Sequence, residues 1–208
     1  MPTTRLHRRS VAGALLLCLI ARPMRARAED AAPTLPVRRL YDALLGVMKA
    51  GRSVPFATRY DQLAPTLDAA FDLPAILETS VGPSWGQLPA DQQAALLAAF
   101  RRYTIDSYVS NFDAFTGQRF EISPDTRALP NGEQVVATRI IPASGDAHRL
   151  DYVMRQEGGA WKAVDVLADG TISRVAVQRS DFRRLLMEGG GPALLASLQR
   201  KASDLEAG

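Results

Sequence analysis

Residues 119–168 read RFEISPDTRALPNGEQVVATRIIPASGDAHRLDYVMRQEGGAWKAVDVLA, a stretch with repeated two-residue alternation and hairpin punctuation. Its runs Arg119–Ser123, Gln134–Ile141, Arg149–Arg155 and Trp161–Leu167 are separated by Asn131-Gly132, Ser144-Gly145-Asp146 and Glu157-Gly158-Gly159. Asn-Gly predicts a two-residue hairpin, and Pro142 closes the second run. The spacing therefore predicts four strands paired in chain order, an antiparallel meander. In the third run Leu150, Tyr152 and Met154 share one face, and Asp151, Val153 and Arg155 the other. One face is apolar and needs cover.

The flanks supply that cover as helices. Leu35–Ala50 places Val37, Leu40, Tyr41, Leu44, Leu45 and Met48 on one helical face and ends at Gly51. A second helical region, Phe56–Phe71, is interrupted by Pro65. Phe71-Asp72-Leu73-Pro74 then opens a short third helix carrying Ile76 and Leu77, and Gly82-Pro83 stops it. The longest helix runs from Pro89 to about Asn111 with Leu96, Leu97, Phe100, Tyr103 and Tyr108 as its apolar stripe, while Asp91, Arg101, Arg102 and Asp106 face away. Beyond the sheet, Asp169-Gly170 is a turn and Ser180 is placed to cap a helix over Asp181–Met187. Gly189-Gly190-Gly191 breaks that helix, and Pro192 starts the last one. The expected fold class is α+β, a four-stranded antiparallel meander packed against N- and C-terminal helices around an apolar cavity.

Residues 1–28 have the form of a signal peptide. Arg5, Arg8 and Arg9 make a basic start, Val11–Ile20 an apolar run of ten residues, and Ala26-Arg27-Ala28 a cleavage site before Glu29. The run is too short to span a bilayer. Arg8-Arg9 resembles a twin-arginine signal without its usual apolar followers, which leaves both export routes open. Residues 29–208 then form a single domain. The leader holds six of the 25 Lys and Arg and none of the 22 Asp and Glu, so the remainder has 19 against 22, a formal −3. The basic character belongs to the leader, and a nucleic-acid partner loses its electrostatic footprint. The single cysteine, Cys18, also lies in the leader, preceded by Leu17 where a lipoprotein signal has a small residue. A domain of this size buries enough surface to fold without disulfides.

The search for chemistry returns little. His148 is the one histidine after the leader and is expected at the solvated start of a strand. Neither a Cys/His cluster nor a phosphate-binding glycine loop occurs, so no metal, cofactor or catalytic residue is assigned. Gly82-Pro83-Ser84-Trp85-Gly86 matches G-x-S-x-G, with Asp113 and His148 following in hydrolase order. A nucleophile elbow needs a strand entering that turn, however, and Leu73–Val81 reads helical, so a helix–helix corner is expected. Asp151 and Asp165 are expected as single charges on a solvated sheet face, although Asp165, between Val164 and Val166, is the residue that a small cavity enzyme would use.

Several segments carry a family resemblance. They are Phe71-Asp72-Leu73-Pro74, Gly82-Pro83-Ser84-Trp85, Leu88-Pro89-Ala-Asp-Gln-Gln followed by Ala99-Phe100-Arg-Arg-Tyr103, Tyr108, Trp161-Lys-Ala-Val-Asp165-Val, Asp169-Gly-Thr-Ile-Ser173 and Arg179-Ser-Asp-Phe182. In this order, over Leu40 to about Lys201, the chain resembles the MlaC/toluene-tolerance family of periplasmic lipid-binding proteins. The Asp169–Ser173 run with Arg179-Ser180 resembles its hopanoid-biosynthesis-associated HpnM subgroup. Leu88 departs from the small hydroxyl residue common there, which removes a side-chain cap from the long helix.

The resemblance implies a non-enzymatic periplasmic carrier. It would shield the tail of a phospholipid or hopanoid between inner and outer membranes, with an inner-membrane lipid transporter complex and an outer-membrane lipoprotein as contacts. Separately, the absence of cysteine and metal ligands after the leader leads to the expectation of a monomer. Expected walls of the cavity are Leu77, Val81, Leu96, Phe100, Tyr103, Tyr108, Tyr152, Met154, Val164, Val166, Ile172 and Val175; Arg174 and Arg179 are candidates for the head group. Periodicity shows that these positions point inward, not whether the inside is hollow. An exported adaptor with a filled core fits the same pattern.

Overall fold

The computed structural model describes Met1 and residues 32–208. The signal-peptide reading of residues 1–28 lies almost entirely outside the described residues. In chain order come α1 (Thr34–Ala50), α2 (Phe56–Ala70), α3 (Leu73–Val81), α4 (Ala90–Asn111), β1 (Arg119–Ala128), β2 (Gln134–Ile141), β3 (His148–Glu157), β4 (Ala160–Ala168), β5 (Ile172–Ser173) and α5 (Arg174–Ala207). The sheet is antiparallel in the order β1-β2-β3-β4-β5, so the expected meander gains a short fifth strand. The Asp169-Gly170 turn accounts for it, because it folds Ile172 and Ser173 back beside Ala168 and Leu167.

The Asn131-Gly132 hairpin is longer than expected. Leu129 N–H donates to Glu133 O at 2.8 Å and Gly132 N–H to Leu129 O at 3.0 Å, enclosing a three-residue loop with Gly132 at φ 83°. Pro130 favours the first position of a type I turn, and the glycine takes the left-handed position after it.

Pro65 does not interrupt α2, which continues through it, since Leu63, Ala64 and Leu67 are buried on one side and hold the turn that lacks a hydrogen bond. Ser180 is not a helix cap. The last helix starts at Arg174 on Ser173, whose Oγ accepts from Ala176 N at 2.9 Å. The glycine break falls where expected. Gly189 (φ −161°) and Gly190 (φ 66°, ψ −157°) leave helical geometry, dividing α5 into residues 174–188 and 191–207.

Helices α1 and α2 bring Leu40, Leu44, Leu63 and Leu67, all fully buried, to one side of the core. Two stitches fix this helical layer. Arg59, itself buried, donates to Val54 O and to Val109 O at 3.1 Å, engaging a carbonyl at the end of α4. Asp72 N–H donates to Ala163 O at 2.9 Å, tying the α2–α3 corner to β4. On the outer face of the sheet Val135 opposes Val153, and Arg149 and Arg155 pair with the buried Asp151 and Glu133. Asp151 is therefore not a solvated single charge.

Asp106 does not face away. It is fully buried, with Oδ2 accepting from Arg102 Nε at 2.7 Å and Oδ1 without a partner. Its place on the helix is four residues after Arg102, which reaches on to Glu206 of α5, so the turn of α5 that covers α4 covers this carboxyl as well.

Candidate functional site

A half-open cavity of about 360 Å³ lies between α4, the first part of α5 and the inner face of β3 and β4. Helix α4 contributes a single stripe: Phe100, Tyr103, Thr104, Ser107, Tyr108 and Asn111 follow the i, i+3, i+4 spacing of one helical face. The sheet contributes Leu150, Tyr152, Val166 and Ala168. The α2–α3 corner adds Phe71, Leu73 and Ile76, and α5 adds Arg174, Val175 and Gln178. Asn111 and Arg174 are exposed while Tyr152 and Phe100 are fully buried, so the cavity runs from a polar mouth between α4 and α5 to an aromatic interior.

Six of the expected wall residues, Phe100, Tyr103, Tyr108, Tyr152, Val166 and Val175, line this cavity. The other six do not. Leu77, Val81, Leu96 and Met154 are buried in packed core. Val164 is displaced by a bulge in β4: Met154 pairs with Ala163 but Tyr152 with Val166, so the inward row runs Ala163, Val166 and Val164 leaves it. Ile172 is 52% exposed on the edge strand. Sequence reasoning missed Phe71, Leu73, Ile76, Phe112, Leu150 and Ala168, together with the polar wall of Thr104, Ser107, Asn111 and Gln178. A signal was present, since hydroxyl and amide side chains on the inward stripe of α4 are ill suited to a filled core.

Asp165 also reaches the cavity, but its oxygens are committed to structure. They accept from Val166 N–H at 2.7 Å, Val175 N–H at 3.1 Å and Ser173 Oγ–H at 2.5 Å. Asp165 and Ser173 together satisfy the first turn of α5, where free N–H groups and the helix dipole favour a carboxylate. This fixes Arg174 and Val175 at the rim. Arg174 takes part in none of the ion pairs of the described residues and stands beside Tyr108, where its positive charge acts on the phenol. Arg179 lies elsewhere, with its guanidinium against Gly82.

Two hydroxyls lie behind Tyr152 of the cavity wall. Thr138 Oγ1 donates to Leu150 O at 2.5 Å and meets Tyr41 Oη at 2.5 Å. Tyr152, on the cavity wall, meets the Tyr41 ring edge-on with centroids 6.0 Å apart. Burial raises the titration of the Tyr41, Tyr108 and Tyr152 phenols above the ordinary tyrosine value, so they stay protonated at physiological pH.

The G-x-S-x-G segment forms a 3₁₀ stretch, Gly82–Gln87, entered from α3 rather than from a strand. Asp113 is held by Arg52 at 2.5 Å, and His148 is exposed at the start of β3. The long helix lacks a side-chain cap, as Leu88 implies. Gln93 Nε2 instead donates to Trp85 O and Leu88 O, closing the corner. Among the described residues no group of three or more His, Cys, Asp or Glu is placed to hold a metal ion, and no helix is long and apolar enough to cross a membrane.

Comparison with curated proteins returns no match. Among solved structures, the chain is similar to a phospholipid-binding protein from Ralstonia solanacearum determined in complex with a phospholipid. The two are 19% identical, with a TM-score of 0.72 over 83% of this chain and 98% of that one, a likeness of fold. Residues 38–200, from the first helix into the second part of α5, match the family model described as MlaC protein. The chain belongs to the MlaC family.

Proposed function

We propose that this chain is a periplasmic lipid carrier and not an enzyme. Residues 1–28 direct export as a signal peptide, and residues 29–208 are the mature lipid-binding domain. The observation that carries the reading is the cavity of about 360 Å³, apolar within and polar at its mouth. It lies in the range of small-ligand sites, ~300–1,000 Å³. At ~30 Å³ for a water-sized group it has room for about a dozen, the size of one acyl chain or a compact ring system. Removing such a tail from water is favourable by about 25 cal/mol per Å² of apolar surface. At the mouth, the unpaired Arg174 suits an anionic head group.

Membership of the MlaC family and the fold shared with a phospholipid-binding protein support phospholipid as the ligand class. The Asp169–Ser173 run with Arg179-Ser180 supports the hopanoid-associated branch and a hopanoid as the alternative cargo. Transport between inner and outer membranes, with an inner-membrane transporter complex and an outer-membrane lipoprotein as contacts, completes the proposal. Asp165 caps a helix in this reading and has no catalytic part.

The test is chemical. Protein purified without detergent is expected to yield near-stoichiometric lipid on organic extraction and mass spectrometry. Val166→Asp, which aims a carboxylate into the cavity, is expected to lose it with unchanged circular dichroism. A wild type that contains no lipid and takes none from vesicles would sink the carrier reading.

A further inference from the structure

Most of the exposed apolar side chains of the molecule gather at the cavity mouth. Beyond Met1, four large apolar residues are exposed among the described ones: Phe115, Ile172, Val177 and Met187. Single exposed apolar residues are ordinary on a soluble protein, so their grouping is what counts. Phe115 follows the wall residues Asn111 and Phe112, and three residues of chain keep it within ~11 Å of Phe112. Ile172 stands two residues before Arg174 of the rim, and Val177 one helical turn, ~5 Å, after it. None of Phe115, Ile172 and Val177 lines the cavity, so their apolar surface meets solvent beside the opening rather than ligand within it. Met187 lies ~20 Å along α5 from Arg174, away from the mouth.

Charge follows the same pattern. Lys49 Nζ is 5.4 Å from the centre of the Phe115 ring, and Arg174 lies between Ile172 and Val177 in the chain. Neither cation takes part in an ion pair of the described residues. Of the carboxylates next to the lips in the chain, Asp113 is held by Arg52 and Asp165 by the start of α5, which leaves Asp169 of the turn exposed. The first part of α5 adds Arg179, Arg183 and Arg184 against Asp181 and Glu188, in a chain whose residues 29–208 carry a formal −3. The lips are thus apolar and cationic on a protein that is otherwise acidic.

We propose that these lips dock on an anionic lipid bilayer and press the mouth against its head-group layer while cargo passes. This rests on the carrier reading and names the surface that the carrier meets. Interfacial attachment draws on buried apolar area and on the attraction of basic side chains to anionic head groups, the two properties grouped here. Long Lys and Arg stems let their charges reach phosphates while the neighbouring apolar side chains enter the acyl boundary. A tail that crosses a gap between bilayer and cavity uncovers apolar surface to water in proportion to its length, and lips seated in the head-group layer remove the gap. An acidic protein surface satisfies the cations but offers Phe115, Ile172 and Val177 no apolar contact, so the bilayer is the better fit.

Flotation with vesicles tests this, using phosphatidylcholine alone and phosphatidylcholine mixed with an equal amount of phosphatidylglycerol. Wild type is expected to float with the mixed vesicles more than with the neutral ones, and added salt is expected to weaken that binding. Phe115→Ser and Ile172→Ser, outside the cavity, are each expected to lower the partition constant about three- to tenfold. Lys49→Gln is expected to lower it about fivefold. All three should keep their extractable cargo lipid, and Met187→Ser should leave flotation unchanged. Thermal melts report whether each variant folds, and three independent lip positions keep the test decisive if one does not. Wild type that yields lipid on extraction yet floats with neither vesicle would overturn bilayer docking, leave the carrier reading standing and turn the lips toward an acidic protein surface. Flotation that survives all the lip substitutions, or that Met187→Ser lowers as much as they do, would overturn the mouth as the docking face. Wild type that contains no lipid and takes none from the vesicles would sink both readings.

Discussion

Around α1 and α2 the core is filled: Leu40, Leu44, Leu63 and Leu67 are fully buried. Between α4, α5 and the sheet, equally inward positions surround open space, and the side chains change character. Aromatics bound it, and Thr104, Ser107, Asn111 and Gln178 interrupt the apolar pattern. Packed aliphatics gain dispersion contacts on every side, whereas a wall residue has partners on one side only. An inward stripe that mixes hydroxyls with rings therefore distinguishes a hollow from a core.

The sharpest contrast uses the same substitution in both places. Leu44→Ala, in the filled half, is expected to cost about 3–5 kcal/mol, because the new void adds to the lost transfer energy. Leu73→Ala, on the cavity wall, is expected to cost about half as much. Equilibrium denaturation of the two variants checks this, and equal losses would erase the distinction between the halves.

Enlarging a side chain should reverse the order of effects. Ala70→Leu overfills packed core at the end of α2 and is expected to cost about 1–3 kcal/mol. Ala168→Phe grows into the cavity, so its melting temperature should hold while extractable lipid falls to about half or less. Lipid retained in full by Ala168→Phe would mean that the tail lies elsewhere.

The smallest effect is expected at Asp106, whose buried Oδ1 has no partner on the packed side of α4. Burial raises its carboxyl above the ordinary 3.8, and the hydrogen bond from Arg102 offsets only part of that. Above that value the folded chain holds more protons than the unfolded one, so this group's contribution to stability is largest below 3.8 and falls as pH rises through the folded titration. Asp106→Asn removes the titration. Its stability relative to wild type is expected to improve from acid toward neutral pH, by about 1 kcal/mol. A difference that stays flat with pH would show that Arg102 pairs the carboxylate fully.

The elements were legible wherever local chemistry decides them. Gly51 ends α1, Asp72 accepts from Ala75 N–H at the start of α3, and Gly189-Gly190 divides α5, each at its expected place. The two-residue fifth strand was not, because so short an edge carries no periodicity of its own. The cavity was legible by half. Phe100, Tyr103 and Tyr108 share a stripe with Leu96, yet they border the cavity and Leu96 does not, because what stands opposite each turn belongs to the sheet and to α5 and no single helix encodes it. Val164 was misplaced by one extra residue in β4, and a one-residue shift turns a strand side chain to the other face. Asp165, legible only as an unusual acid among valines, gained its meaning from the N–H groups of a helix that begins nine residues later.

For mutational tolerance, the break in α5 has opposite consequences on its two sides. Gly190, at φ 66° and ψ −157°, occupies backbone space open almost only to glycine. At Gly191 a Cβ would stand 2.4 Å from Gln92 Oε1 and 3.3 Å from Leu88 Cδ2, so any replacement must first swing Gln92 aside. Before the break, the exposed Arg174 borders open volume, and Gln178 borders it too while its Oε1 accepts from the buried Ser80 at 3.4 Å. One helix thus joins positions where substitution is sterically restricted to Arg174, where a change of side chain meets open volume and reshapes the cavity mouth on an unchanged frame.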